Sequence, residues 1–281
     1  MVTSQRLMQT LTLEPLGGDA FSARSEGGEG RIFGGQVVAQ ALVAAYATVE
    51  TFLCNSLHAY FVRAGDAAKP IRFEVERTRD GGSFVNRRVR ALQDSQLIFD
   101  MIASFQAPAE GLEYQTPMPD HADPQTLPSF FEQRLKLFQS SDHPRGAALT
   151  DTMPIEVRTA DEQGEIVGPP TRESWVRFRA PIGPDQRLHD SLLAYVSDLN
   201  VLSTAMRPHG LYWHTKGLQS ASLDHALWFH RPTNFNDWHL FQTDTPTTSG
   251  TRGMVRGALY NIDGRLVATV AQEGLIRLRK A

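Results

Sequence analysis

The chain has 281 residues, of which 41% are hydrophobic and 21% charged, and a net charge of −3. That is long enough for two ordinary domains and apolar enough to pack a core, which excludes a disordered protein. The charge balance gives no basis for nucleic-acid binding, and no apolar run nears the roughly 20 residues that span a bilayer. Met1 to Leu13 has no continuous apolar segment and does not read as a signal peptide. The C-terminus, Leu278-Arg279-Lys280-Ala281, lacks the final leucine of a peroxisomal Ser-Lys-Leu address. Cys54 is the single cysteine, so no internal disulfide forms and a reducing, cytoplasmic setting is expected. With no local histidine partner, Cys54 reads as a buried inert thiol rather than a nucleophile.

Phe21 to Arg31 is rich in Gly, Ser and charge and reads as a loop or edge strand. Gly34-Gly35 then opens an Ala-rich run to Tyr46, apolar nearly all round, the pattern of a helix buried on most sides. Its first N–H groups on a Gly-Gly turn suit a carbonyl oxygen or phosphate, and suit equally a tight turn made for close packing. Strand-like runs follow at 57–63 and 71–77. Asp80-Gly81-Gly82 marks a hairpin turn into 84–92, and Gln93 to Gln96 a second turn into 97–105. The plan of this half is one buried helix and an antiparallel meander.

Residues 106–150 carry six prolines, acidic residues and one expected helix, Ser129 to Phe138, and read as a surface connector. The plan then repeats. Strands are expected at 155–159 and 175–179. A helix is expected from about Asp185 to Met206, with Leu188, Leu192, Val196, Leu199 and Leu202 on one stripe. A second meander follows at 220–230, 238–243, 253–260 and 266–277. Its first strand, Ser220 to His230 before Pro232, echoes Leu57 to Arg63, so that His58 and His225 read as equivalent residues of a duplicated unit. Strict alternation puts Ser222 and Asp224 on one face of that strand and His225 on the other. No metal site emerges, since His225 and His230 point to opposite faces and the other histidines scatter. No P-loop, dinucleotide fingerprint or nucleophile elbow is present, and no cofactor is expected.

Several blocks, in order along nearly the whole chain, carry a more specific signal. They are Phe33-Gly34-Gly35-Gln36-Val37-Val38, Asp80-Gly81-Gly82-Ser83-Phe84 with Arg87-Arg88-Val89, Ser197-Asp198-Leu199-Asn200, Asp224-His225 with Trp228 to Pro232, and Gln272-Glu273-Gly274. Together they resemble the acyl-CoA thioesterase II family. The resemblance implies an α+β fold of two tandem hot-dog modules, each a long central helix wrapped by a curved antiparallel sheet. The modules would be 1–107 and 151–281, with 108–150 as connector and the catalytic residues in the second.

The implied substrate is acyl-CoA and the implied assembly a homo-oligomer, dimer or tetramer. The family triad maps onto Asp198, Ser222 and Gln272, which would hold a water that attacks the thioester directly. A carboxylate, a hydroxyl and an amide suit the task of taking and orienting the water's protons. His225, Gly34 and Gly35 are placed as supports, for the triad or the developing oxyanion. Arg79, Arg87, Arg88 and Arg90 offer guanidinium forks for coenzyme A phosphates, or a solvated strand face. Rival readings are a catalytically weak acyl-CoA binding protein, a hot-dog enoyl-CoA hydratase or dehydratase, and a Ser222 acyl-enzyme mechanism.

Overall fold

The computed structural model describes residues 3–25, 30–139, 153–161 and 166–279, so part of the connector read over 108–150 lies outside the described residues. In chain order the elements are α1 (Ser4–Thr10), β1 (Glu14–Gly17), β2 (Ala20–Ala23), α2 (Gly34–Tyr46), β3 (Leu53–Phe61), β4 (Ile71–Asp80), β5 (Phe84–Gln93) and β6 (Gln96–Gln106). After α3 (Phe130–Gln139) come β7 (Ile155–Arg158), β8 (Thr171–Phe178), α4 (Gln186–Ser197), α5 (Ser203–Met206), β9 (Leu218–Ser222), β10 (Asp224–Phe229), β11 (His239–Ser249), β12 (Arg252–Asn261) and β13 (Leu266–Leu278).

The strands form one 13-stranded sheet in the order β1-β2-β4-β5-β6-β3-β10-β13-β12-β11-β8-β7, with β9 paired to β13. The order runs outward in the same sense from the β3–β10 junction, which is the signature of a duplicated helix-and-meander unit. Each half lays its sheet over a helix, and α2 and α4 pack against each other between the halves. α2 is buried along its length except at Gly34 and Val43. Its alanines leave room for close approach. A Cβ on Gly35 would lie 2.3 Å from the Tyr195 carbonyl oxygen of α4, so that position accepts only glycine.

Two local breaks in regularity position the site. The helix expected over 185–206 is interrupted: α4 ends at Ser197, Asp198 is its C-cap, and Asn200 takes a left-handed φ of 63° before α5 begins. Asparagine tolerates that conformation better than most residues because its short side chain bonds locally. Here it accepts from Trp213 Nε1 at 2.7 Å. The strand expected over 220–230 is also broken. Ser222 pairs with Gly274 and Ala226 with Ala271, so two residues of β13, Gln272 and Glu273, face three, Leu223, Asp224 and His225. This is a β-bulge, and Asp224 Oδ1 accepts from the Glu273 amide at 2.7 Å.

The junction also corrects the expected equivalence of His58 and His225. Across the β3–β10 ladder His58 pairs with Ala226 and His225 with Ala59, which puts the two imidazoles on opposite faces. His58 is exposed, its ring edge-on to Trp228 at 5.1 Å, whereas His225 is buried. Cys54 is buried on β3, where burial pushes its thiol well above the ordinary range, in keeping with an inert role.

Candidate active site

The C-terminal end of α4, the bulge between β9 and β10, and the middle of β13 meet at one point beside the N-terminus of α2. Asp198 Oδ1 accepts from Gln272 Nε2 at 2.8 Å and from Ser222 Oγ at 3.1 Å, and Gln272 Nε2 also donates to Ser222 Oγ at 2.9 Å. The three residues expected from distant parts of the chain are therefore in mutual contact. The Gly35 amide donates to the Asp198 carboxylate as well, in line with the positive end of the α2 dipole. A Cβ on Gly34 would lie 2.6 Å from Asp198 Oδ2 and 3.0 Å from the Phe61 ring. The glycine pair thus lets the helix end press against the carboxylate.

The bulge brings His225 to the same side as Ser222, against the expectation from strict alternation. His225 Nδ1 lies 2.5 Å from Gln272 Oε1, and Nε2 lies 2.8 Å from Ser197 Oγ. Burial pushes the Asp198 carboxyl above the ordinary carboxylate range, opposed by the His225 ring and the donors from Gln272, Ser222 and Gly35. Burial likewise pushes the His225 imidazole below its ordinary range, opposed by the Asp198 carboxylate and the contact with Gln272. The first half has no polar counterpart at its own inward β3–β6 pair, where Leu57 faces Ala103.

A cavity of about 690 Å³ opens onto this point. Asp198, Ser222 and Gly34 are part of its wall together with Phe33, Phe61 and Leu223, while Gln272 and His225 lie behind, each 1% exposed. The cavity therefore presents a carboxylate and a hydroxyl, held from behind by an amide and an imidazole, at one end of an apolar space. Among the described residues no group of three His, Cys, Asp or Glu side chains is arranged to hold a metal ion.

The expected arginine cluster lies elsewhere. Arg87 is 2% exposed and donates to Thr48 Oγ1 at 2.8 Å, to the Thr48 carbonyl and to Asp80. Thr48 lies past the C-terminal end of α2, roughly 20 Å from Gly35 at 1.5 Å per residue, so Arg87 supports the fold far from the carboxylate. Arg88 pairs with Asp100 at 2.7 Å and Arg90 with Glu74 at 3.2 Å on the outer face, and neither these nor Arg79 lines the cavity. Four arginines do line it, Arg31, Arg63, Arg134 and Arg172, and the sequence reading missed them; Arg31 and Arg63 lie at its exposed rim. Both are exposed, and neither has a carboxylate partner among the described residues. Arg63 Nη1 donates to the Leu97 carbonyl at 2.8 Å.

Two helix-and-meander halves joined in one sheet are the paired hot-dog plan, and comparisons with known proteins agree with that fold. Residues 148–275 match the family model for acyl-CoA thioesterase, and 23–106 that for the acyl-CoA thioesterase N-terminal domain. The chain is 37% identical over 276 residues to acyl-CoA thioesterase 2 of Haemophilus influenzae, covering 96% of each. It is 39% identical to human acyl-coenzyme A thioesterase 8, covering 96% of this chain and 88% of that one. The crystal structure of an acyl-CoA thioesterase II from Mycobacterium marinum superposes with a TM-score of 0.80 at 37% identity, covering 98% and 99%. A hot-dog protein from Alicyclobacillus acidocaldarius shares the fold at a TM-score of 0.78 and 18% identity. The chain belongs to the acyl-CoA thioesterase family, and it is a thioester hydrolase of two tandem hot-dog modules.

Proposed function

We propose that this chain hydrolyses fatty acyl-CoA to free acid and coenzyme A by direct attack of water, with Asp198 as general base. The observation that carries this reading is the buried Asp198 carboxylate at the cavity wall, with Ser222 beside it and both oxygens tied to Gln272 Nε2. A carboxylate raised by burial is a better base for water than an exposed aspartate, because its proton affinity is nearer the working pH. Ser222 Oγ orients the water, and Gln272 fixes the distance between Asp198 and Ser222 rather than touching the substrate. Water would attack the thioester carbonyl, Asp198 would take its proton, and that proton would pass to the departing thiolate. The Gly34 amide, at the positive end of α2, is the donor for the developing oxyanion.

The acyl chain would occupy the apolar cavity, and Arg31 and Arg63 at its rim would take the coenzyme A phosphates in place of the β4–β5 hairpin. His225 stands behind the wall, away from any substrate, which favours hydrolysis over hydration chemistry that needs a histidine at the reacting atoms. The family resemblance supports a homo-oligomer, and the single cysteine fits a reducing, cytoplasmic setting. No helix among the described residues is long and apolar enough to cross a membrane.

Mass spectrometry of protein quenched during steady-state turnover tests the direct-water mechanism. The expected result is no acyl adduct on the chain. An adduct on Ser222 at turnover-competent occupancy would establish the acyl-enzyme route instead.

A further inference from the structure

Within three residues, Leu223 to His225, the chain leaves its pairing with β13 alone and joins β3 as well. Leu223 faces Glu273 in the register that runs from Ser222 and Gly274, and its amide donates to the Glu273 carbonyl at 2.9 Å. A regular antiparallel pair of this kind exchanges two bonds, so the Leu223 carbonyl would take the Glu273 amide in return. It does not. The Leu223 carbonyl accepts from the Phe61 amide at 2.9 Å, extending the β3–β10 ladder that joins the two halves. The Glu273 amide donates to Asp224 Oδ1 at 2.7 Å instead. A side-chain carboxylate thus stands in for a backbone carbonyl, and Leu223 is bonded to both neighbouring strands. Glu273 has its own carboxylate held by Arg252 Nε at 2.8 Å, so the two acidic side chains have separate tasks.

We infer that Asp224 is a positioning residue for hydrolysis, a clamp that holds the segment from Ser222 to His225 in register with Gln272. The inference rests on the reading of Asp198 and Ser222 as the hydrolytic pair. Ser222 lies two residues before Asp224 and His225 one after it, while Gln272 directly precedes the clamped Glu273. Two side-chain bonds cross this joint, from Gln272 Nε2 to Ser222 Oγ at 2.9 Å and between His225 Nδ1 and Gln272 Oε1 at 2.5 Å. Both therefore depend on the register that Asp224 closes. Without the carboxylate the Glu273 amide loses its acceptor, and the stretch of three residues facing two is free to slip by one. Such a slip turns side chains to the opposite face and would take His225 away from Gln272. Asp224 is not part of the cavity wall, so its effect reaches the substrate only through these neighbours.

The test sets Asp224→Ala, which removes the acceptor, beside Asp224→Asn, which keeps an oxygen there without the charge. Asp224→Ala should lower kcat by about 10- to 100-fold with KM little changed, the scale of a displaced catalytic group. Asp224→Asn should recover most of that loss. The pH profile separates the clamp from the charge. Asp198 is faced by the His225 ring and by the donors from Gln272, Ser222 and Gly35. Loosening the Gln272 and Ser222 donors moves the acid limb of kcat/KM to higher pH, whereas loss of a negative charge alone would move it lower. An unchanged kcat in Asp224→Ala, an Asp224→Asn as slow as Asp224→Ala, or a limb that stays or moves lower would overturn the assignment. Hydrogen exchange at the Glu273 amide reads the clamp without turnover, and should be slow in the wild type and Asp224→Asn and fast in Asp224→Ala. Should Asp224→Ala not fold, exchange in the other two proteins decides, and a Glu273 amide as fast as an exposed turn amide would overturn the clamp. Absence of all hydrolysis would count against the thioesterase reading alone.

Discussion

His225 Nδ1 and Gln272 Oε1 are 2.5 Å apart, and this contact sets the polarity of the whole cluster. An amide oxygen only accepts, so Nδ1 carries the hydrogen, while Nε2 lies 2.8 Å from Ser197 Oγ, whose hydroxyl donates to the Ala194 carbonyl. With its oxygen so engaged, Gln272 must turn its Nε2 hydrogens toward Asp198 and Ser222. A flipped amide would set an oxygen against the Asp198 carboxylate.

The first prediction follows from that chain of donors. His225→Ala leaves Gln272 Oε1 buried and unpaired, at a cost of about 1–3 kcal/mol, and frees the amide to flip. We expect kcat to fall by about tenfold or more with KM little changed, since His225 touches no substrate. A double-mutant cycle with Gln272→Ala should be strongly non-additive, because both changes break one unit. Additive losses would show that His225 acts only by packing.

The pH dependence of kcat/KM should show an acid limb. Only the ionised Asp198 accepts a proton from water, and burial holds its carboxyl above the ordinary value near 3.9. Activity should therefore fall away as the pH drops through that raised value, at a higher pH than an exposed aspartate would give. Gln272→Ala removes a donor that favours the charged form, so it should move the limb to higher pH still. A limb that stays in place would place the titration on another group.

Asp190 makes a separate prediction about stability. It sits between α2 and α4, accepting from the Tyr46 hydroxyl at 2.5 Å and from Gln186 Nε2 at 2.9 Å, and burial raises it to about 6. A folded value above the unfolded one means that the native state holds its proton more tightly. The stabilisation is full below about pH 4 and is lost as the pH rises through about 6, a loss on the order of 3 kcal/mol. Asp190→Asn should remove this component. In denaturant titrations at pH 4.5 and 8, the variant should be about 2–3 kcal/mol less sensitive to pH than the wild type.

The glycine pair separates stability from activity. Gly35→Ala drives a methyl group into the Tyr195 carbonyl and should lower the melting temperature by several degrees, as a loss of a few kcal/mol does in a chain this size. Gly34→Ala meets the Asp198 carboxylate and the edge of Phe61. It should keep more of its stability yet lose about 100-fold in kcat, the scale of a displaced catalytic group.

Much of the fold was legible because the relevant signals are local. The Ala-rich run after Gly34-Gly35 specified α2, and Asp80-Gly81-Gly82 with alternating flanks specified the β4–β5 hairpin. The end of α4 was not legible, since Leu199 and Leu202 continue the helical stripe and mask the turn at Asn200. Nor was the bulge, because Leu223 and Asp224 carry no glycine and the extra residue shows only in the pairing with β13. That one residue decides whether His225 meets Gln272. Arg87 shows a signal that was present and unused. It shares the alternation of Val85, Val89 and Ala91, all of which face the core, whereas Arg88 and Arg90 fall on the other face. The rim arginines reach the cavity from separate segments, Arg31 beside its bridge to Asp66 and Arg63 just past β3, a placement that no local signal marks.

The central claim is that Asp198 activates water for thioester hydrolysis. The most direct test is thiol release from acyl-CoAs of increasing chain length, with wild type beside Asp198→Asn. The account predicts hydrolysis by the wild type and a loss of about 10²–10⁴-fold in the variant, the range for a missing general base, with the variant still folded. Equal rates in the two proteins would remove Asp198 from the mechanism, and no hydrolysis by the wild type at any length would contradict the function itself.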